Sequence, residues 1–132
     1  MNLFKLFTLV LMLSVFAACG DDEVECVQTD WVGTYTGTIT CTEDGTAEDP
    51  EDVTITVTAS GTDKLIFEYD TDNSDIETDP LDFNGCDVNV SESDQGLSLT
   101  ITANLDGDVL TFTDVFTANG EPSSCVSVAT RN

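Results

Sequence analysis

The feature that most constrains this chain is a period of two. From Trp31 to Cys41 the sequence WVGTYTGTITC puts Trp31, Tyr35, Ile39 and Cys41 on one face with Gly33 and Gly37, and Val32, Thr34, Thr36, Thr38 and Thr40 on the other. A helix returns to the same face about every 3.6 residues, so a sustained alternation predicts a strand with one buried face. The two glycines predict a bent strand that passes close to its neighbours or leaves room for rings. The same alternation recurs in DVTITVTA (Val53, Ile55, Val57 and Ala59 inward), KLIFEYD (Leu65, Phe67, Tyr69) and CDVNVSE (Cys86, Val88, Val90, with Leu81 and Phe83 just upstream). It continues in LSLTITA (Leu97, Leu99, Ile101, Ala103), VLTFTDVF (Leu110, Phe112, Phe116) and CVSVAT. Asp114 falls on the inward face between Phe112 and Phe116, which predicts a bulge or a rim position there.

The runs are separated by turn-forming residues: Ser60, Gly61 and Thr62; Ser93 to Gly96; Asp106 and Gly107; Asn119, Gly120 and Pro122. Connections this short pair sequential strands antiparallel. Each strand must still cover its apolar face. The expected fold is therefore all-β, an up-and-down meander of about seven to eight strands closed into a small barrel, with a sandwich as the alternative. The outward threonine rows, Thr34 to Thr40 and Thr54 to Thr58, read as β-branched residues that favour strands while facing water. Presentation of a hydroxyl lattice to ice or polysaccharide is the other use such rows have.

Strand order also predicts the disulfides. With strand one pointing up, Cys41 ends it at the top, where a downward fourth strand begins at Cys86. Cys26, ahead of strand one, and Cys125, opening an upward seventh strand, both fall at the bottom. Of the three pairings open to four cysteines, the expectation is Cys41 with Cys86 and Cys26 with Cys125.

A fifth cysteine stands apart. The chain starts MNLFKLFTLVLMLSVFAAC: one cation at Lys5, an apolar run, then the small residues Ala17 and Ala18 before Cys19. That order is a secretory signal peptide, too short to favour a permanent span. FAAC resembles the bacterial lipobox, with Phe16 where an aliphatic residue is common, and implies lipidation of Cys19 as the new N-terminus. Setting Cys19 aside leaves an even set of cysteines for an oxidising compartment. The acidic string Asp21, Asp22, Glu23 resembles the tether that directs lipoproteins of Bacteroidetes-type bacteria to the outer face of the outer membrane. The expected organisation is a lipoprotein signal peptide over 1–18, a lipidated acidic tether over 19–29 and a β-barrel domain over 30–132. The expected place is the bacterial outer membrane, surface-exposed, with a periplasm-facing anchor as the alternative.

A first strand carrying Trp31, Gly33, Tyr35 and Gly37 behind a lipobox resembles the small lipocalin-like, or calycin-like, lipoproteins of Bacteroidetes-type bacteria. It echoes the Gly-x-Trp opening strand of lipocalins with the order reversed, Trp31 preceding Gly33. The resemblance implies an eight-strand-like barrel or an open variant and lends no uniform function.

Charge excludes one class of partner. Cys19 to Asn132 carries all 26 acidic residues against two cations, Lys64 and Arg131, a formal charge of −24. Nucleic acid phosphates and anionic headgroups repel such a chain. Contact with the membrane is expected through the lipid alone, and ligand or protein partners are not legible.

Site chemistry is sparse. Without histidine, neither a Ser-His-Asp triad nor a histidine metal site is possible, and no catalytic residues are expected. The acidic segment DTDNSDIETD puts Asp70, Asp72 and Ser74 at positions 1, 3 and 5 of a calcium loop. Asp75 in place of the loop's glycine and Leu81 in place of its glutamate exclude an EF-hand, leaving a weak Ca²⁺ site beside a solvated loop. No other cofactor is expected. Trp31, Tyr35, Phe67, Tyr69, Phe112 and Phe116 are candidates to line a pocket, although barrels this small are usually filled by their own side chains. The function expected is a lipid-anchored, non-enzymatic binding or surface-structural module. The alternatives are a carrier of a small apolar ligand in a barrel cavity and an acidic glycosidase-like enzyme, which would need two carboxyls at a set separation across a cleft.

Overall fold

Every alternating run becomes a strand in the computed structural model, which describes residues 25–132. The elements are a one-turn helix α1 (Gln28–Trp31), then β1 (Gly33–Glu43), β2 (Thr46–Ala47), β3 (Glu51–Ser60), β4 (Lys64–Thr71), β5 (Asp75–Glu77) and β6 (Leu81–Asp82). The second half contributes β7 (Asp87–Asp94), β8 (Leu97–Asp106), β9 (Val109–Ala118) and β10 (Glu121–Arg131). All pair antiparallel in one sheet, in the order β5-β4-β3-β1-β10-β9-β8-β7, with β2 on β1 and β6 on β4. The sheet curls into a half-barrel, as the meander predicts. The signal peptide, the lipid site Cys19 and Asp21 to Glu23 lie outside the described residues.

Tight turns set the registers. Gln95 and Gly96 join Asp94 to Leu97, and Asn119 and Gly120 join Ala118 to Glu121, each with both central residues at positive φ. Such two-residue turns twist with the flanking strands. The central strand β1 lies between β3 and β10, with Gly37 opposite both Val53 and Ala129. A Cβ on Gly37 would sit 1.9 Å from the Val128 carbonyl oxygen, so only glycine allows this approach.

Three local expectations need correction. Trp31 does not open the first strand; it closes α1, where the Asp30 carboxylate accepts a hydrogen bond from the Val27 amide at 2.8 Å. Residues 25–29, placed in the tether by sequence, belong to the fold, since Cys26 is buried and bridged. At Asp114 the pairing with β8 and β10 runs without interruption, so there is no bulge and the carboxylate stays on the inner face.

The disulfides are Cys26–Cys86 and Cys41–Cys125, not the expected pairing. The cause is one reversal of chain direction. Residues 75–82, which look like an acidic loop, run back down β4: Ile76 lies opposite Tyr69 and Leu81 opposite Leu65, with a break around Asp79 and Pro80. That extra downward pass inverts every later strand. It carries Cys86 to the bottom beside Cys26 and Cys125 to the top, directly across from Cys41 with Cα atoms 4.0 Å apart. It also makes β10 antiparallel to β1, so the first and last long strands pair.

The lower half of the half-barrel is filled. Trp31, Tyr35, Phe67 and Phe112 are wholly buried together with Ile55, Leu65, Leu110 and Val57. Trp31 meets Phe67 edge-on at 6.1 Å, and Phe67 meets Phe112 at 5.2 Å. The polar atoms of these rings are satisfied, as burial requires: Trp31 Nε1 donates to the Gly85 carbonyl at 3.0 Å and the Tyr35 hydroxyl donates to the Trp31 carbonyl at 2.8 Å. Arg131 closes this end. Its guanidinium lies over the Tyr35 ring, donates to the Tyr35 hydroxyl and to the carbonyls of Asp30 and Val32, and faces Asp108 at 3.5 Å.

Candidate functional site

The sheet leaves one lateral gap. β6 packs against the lower part of β7. Higher up, β5 and β7 are the two ends of the pairing order, and among the described residues no ladder joins them. The alternation continues there regardless, because each strand was built to face an interior. The result is a cleft of about 240 Å³ whose apolar lining is Tyr69, Ile76, Leu81, Val90, Leu99 and Ile101. Above it a wider, shallower depression is lined by Leu97, Leu99 and Phe116. Ile76, Leu97, Leu99 and Phe116 are 45%, 47%, 36% and 42% exposed, so the upper inner face is wet where the lower one is dry.

One carboxyl stands among these walls. Asp114 lies opposite Ile101 on β8 and Cys125 on β10, half-buried. Burial pushes its carboxyl above the usual carboxylate range, against a smaller lowering by its own backbone amide. Tyr69, facing it from β4, is pushed up to about 12, first by burial and then by the charge of Asp114. Glu77, Asp79 and Glu92 stand exposed at the rim. The outer wall is lightly held: β5 is three residues long and sets Asp75 against Asp70 and Glu77 against Glu68. Like charges directly opposite weaken a strand pair.

The expected pocket residues separate into two groups. Tyr69 lines the cleft and Phe116 the depression above it, whereas Trp31, Tyr35, Phe67 and Phe112 fill the interior. Val90, Leu99 and Ile101 follow the inward alternation, Leu81 lies just upstream of it and Ile76 falls within the acidic segment; the cleft is not legible from periodicity because inward residues look alike whether or not anything covers them. Asp114 was the one legible signal, a charge on the wrong face of a strand. The calcium candidates divide between a strand and the turn that follows it. Asp70 lies in β4, and residues 71–74 form a turn in which Thr71 Oγ1 accepts from the Asn73 and Ser74 amides. Among the described residues no three His, Cys, Asp or Glu side chains gather as metal ligands.

No family model and no curated protein matches the chain. Among solved structures it is similar to a protein of unknown function from the DUF3598 family of Nostoc punctiforme PCC 73102, with 12% identity and a TM-score of 0.54. The likeness covers 82% of this chain and 50% of that one. It concerns the fold alone, and this chain spans about half the length of that protein.

Proposed function

We propose that the chain is a lipid-anchored cell-envelope lipoprotein whose β domain is a non-enzymatic binding module. The cleft between β5 and β7 is the seat of a small ligand. The observation that carries the reading is an inner face that stays apolar where the sheet does not close, concave and with one convergent carboxyl, the general form of a ligand site. The barrel-carrier alternative is thereby narrowed: an apolar ligand would lie in the lateral cleft, since rings occupy the interior. The anchor rests on the FAAC motif and the even cysteine count that remains without Cys19, and it fits a lipocalin-like lipoprotein of the outer membrane, facing outward by its acidic tether.

Mass spectrometry of protein extracted from the membranes of a Bacteroidetes-type host tests both halves. An intact mass starting at Cys19 with added acyl chains, gaining four hydrogens when the two disulfides are reduced, is the expected result. Native conditions should add a bound small molecule. An unacylated mass would remove the anchor, and a ligand-free population that takes up nothing would count against the binding module. Asp114 gives the glycosidase-like alternative its one foothold, because a carboxyl raised by burial is the form a general acid takes. Turnover on a broad glycan panel, lost in Asp114→Asn, would replace the binding reading with that one.

A further inference from the structure

We propose that the cleft binds a small organic cation: an ammonium group carried on an apolar body no larger than a single ring or short alkyl chain. This rests on the binding-module reading and goes beyond it by naming the ligand's chemistry. Size is set by the volume. At about 240 Å³ the cleft lies below the roughly 300–1,000 Å³ of drug-sized pockets.

Charge is set by what lines it. An apolar body suits Ile76, Leu81, Val90, Leu99 and Ile101, but whatever enters also covers Asp114. A neutral apolar ligand would strip water from that carboxylate and return nothing, and burying an uncompensated charge is costly. A fatty acid or other anionic amphiphile would meet Asp114 with Glu77, Asp79 and Glu92 at the rim, and no cationic side chain is among the lining residues. An ammonium group supplies both the missing charge and the hydrogen-bond donors, and its apolar body covers the half-buried Asp114 so that the pair is shielded from water once formed. The Tyr69 ring beside Asp114 adds a face on which a cation is favourable. The net charge of −23 then attracts cations from a distance and raises their local concentration at the mouth.

The test uses the full chain with Cys19→Ser, which leaves it unacylated, in buffer at physiological salt. Phenethylamine, its uncharged analogue phenethyl alcohol, the acid hydrocinnamate and the bodiless cation methylammonium are titrated against amide and methyl NMR signals. Phenethylamine should saturate with shifts confined to Tyr69, Val90, Ile101 and Asp114 and their neighbours. The alcohol should bind about tenfold more weakly or less, the loss expected when a charge-assisted hydrogen bond is missing. Hydrocinnamate should not bind, and methylammonium should give only weak, unlocalised shifts. In Asp114→Asn, near in shape and uncharged, the preference for the amine over the alcohol should vanish. Equal binding of amine and alcohol overturns the cation proposal while leaving a binding module in place. Methylammonium saturating at the cleft as tightly as phenethylamine overturns the role of the apolar body. Silence at the cleft with every probe overturns the proposal and the binding reading together.

Discussion

The two ends of this half-barrel are built from the same alternating strands and differ in what closes them. At the lower end, α1 lays Trp31 across the opening, Cys26–Cys86 ties the entering chain to the start of β7, and Arg131 covers Tyr35. At the upper end Cys41–Cys125 joins β1 to β10, but among the described residues nothing plugs the gap between β5 and β7. The lower interior is a packed core, and the upper interior is a surface. Alternation specifies which side chains face inward; a covering element decides whether inward means dry.

Mutations at the two ends can break that comparison. Phe67→Ala, in the filled half, should cost about 3–5 kcal/mol in denaturant unfolding, since its neighbours cannot collapse into the space. Removing either disulfide should cost about 4 kcal/mol by the loop-entropy estimate. The sequence separations of 60 and 84 residues differ too little to distinguish the ends. A much larger loss for Cys26–Cys86 would show that its role at the lower end is to hold the plug. Peptide mapping without reduction should join Cys26 to Cys86 and Cys41 to Cys125.

Asp114→Asn should move stability the other way, by less than either loss. The carboxyl titrates higher in the folded chain than in the unfolded one. Its contribution is therefore fully present below the ordinary value of 3.8 and is lost as pH rises through the folded value. The Asn variant should melt above the parent at neutral pH and level with it in acid. Glu92→Gln, which also removes one negative charge from the cleft but at an exposed site, is the control. Phe116→Ala should cost far less than Phe67→Ala, on the order of 1 kcal/mol, because the residue is already 42% exposed. A loss as large as that of Phe67→Ala would mean that something covers the upper face. Backbone amides of β5 should exchange with solvent ahead of the central strands and become better protected as salt screens the Glu68–Glu77 and Asp70–Asp75 oppositions.

Much of the architecture was legible. The strands from DVTITVTA to VLTFTDVF, their inward residues and the tight turns all follow from local chemistry, because a half-buried strand must alternate and a two-residue hairpin must tolerate positive φ. The chain from Asp75 to Asp82 was not. Its strand β5 is exposed at every residue, so nothing selects an apolar face, and Pro80 marks a loop as readily as an edge. Without that single pass the later strands invert and the disulfide partners exchange, which is why end-and-direction geometry alone pairs Cys41 with Cys86. Asp114 was visible as an anomaly, but the cleft it faces was not.

The sequence by itself determined that this protein is an antiparallel β domain, strongly anionic, without the means for histidine chemistry, and with five cysteines, an odd number. These are properties of composition and of neighbours along the chain. Only the tertiary structure decided which cysteines meet, that the first and last long strands pair, and that the sheet stays open beside Asp114. Each of those depends on how many times the chain reverses and on what lies across the interior, and no local pattern encodes a distance between residues that approach only when the sheet curls.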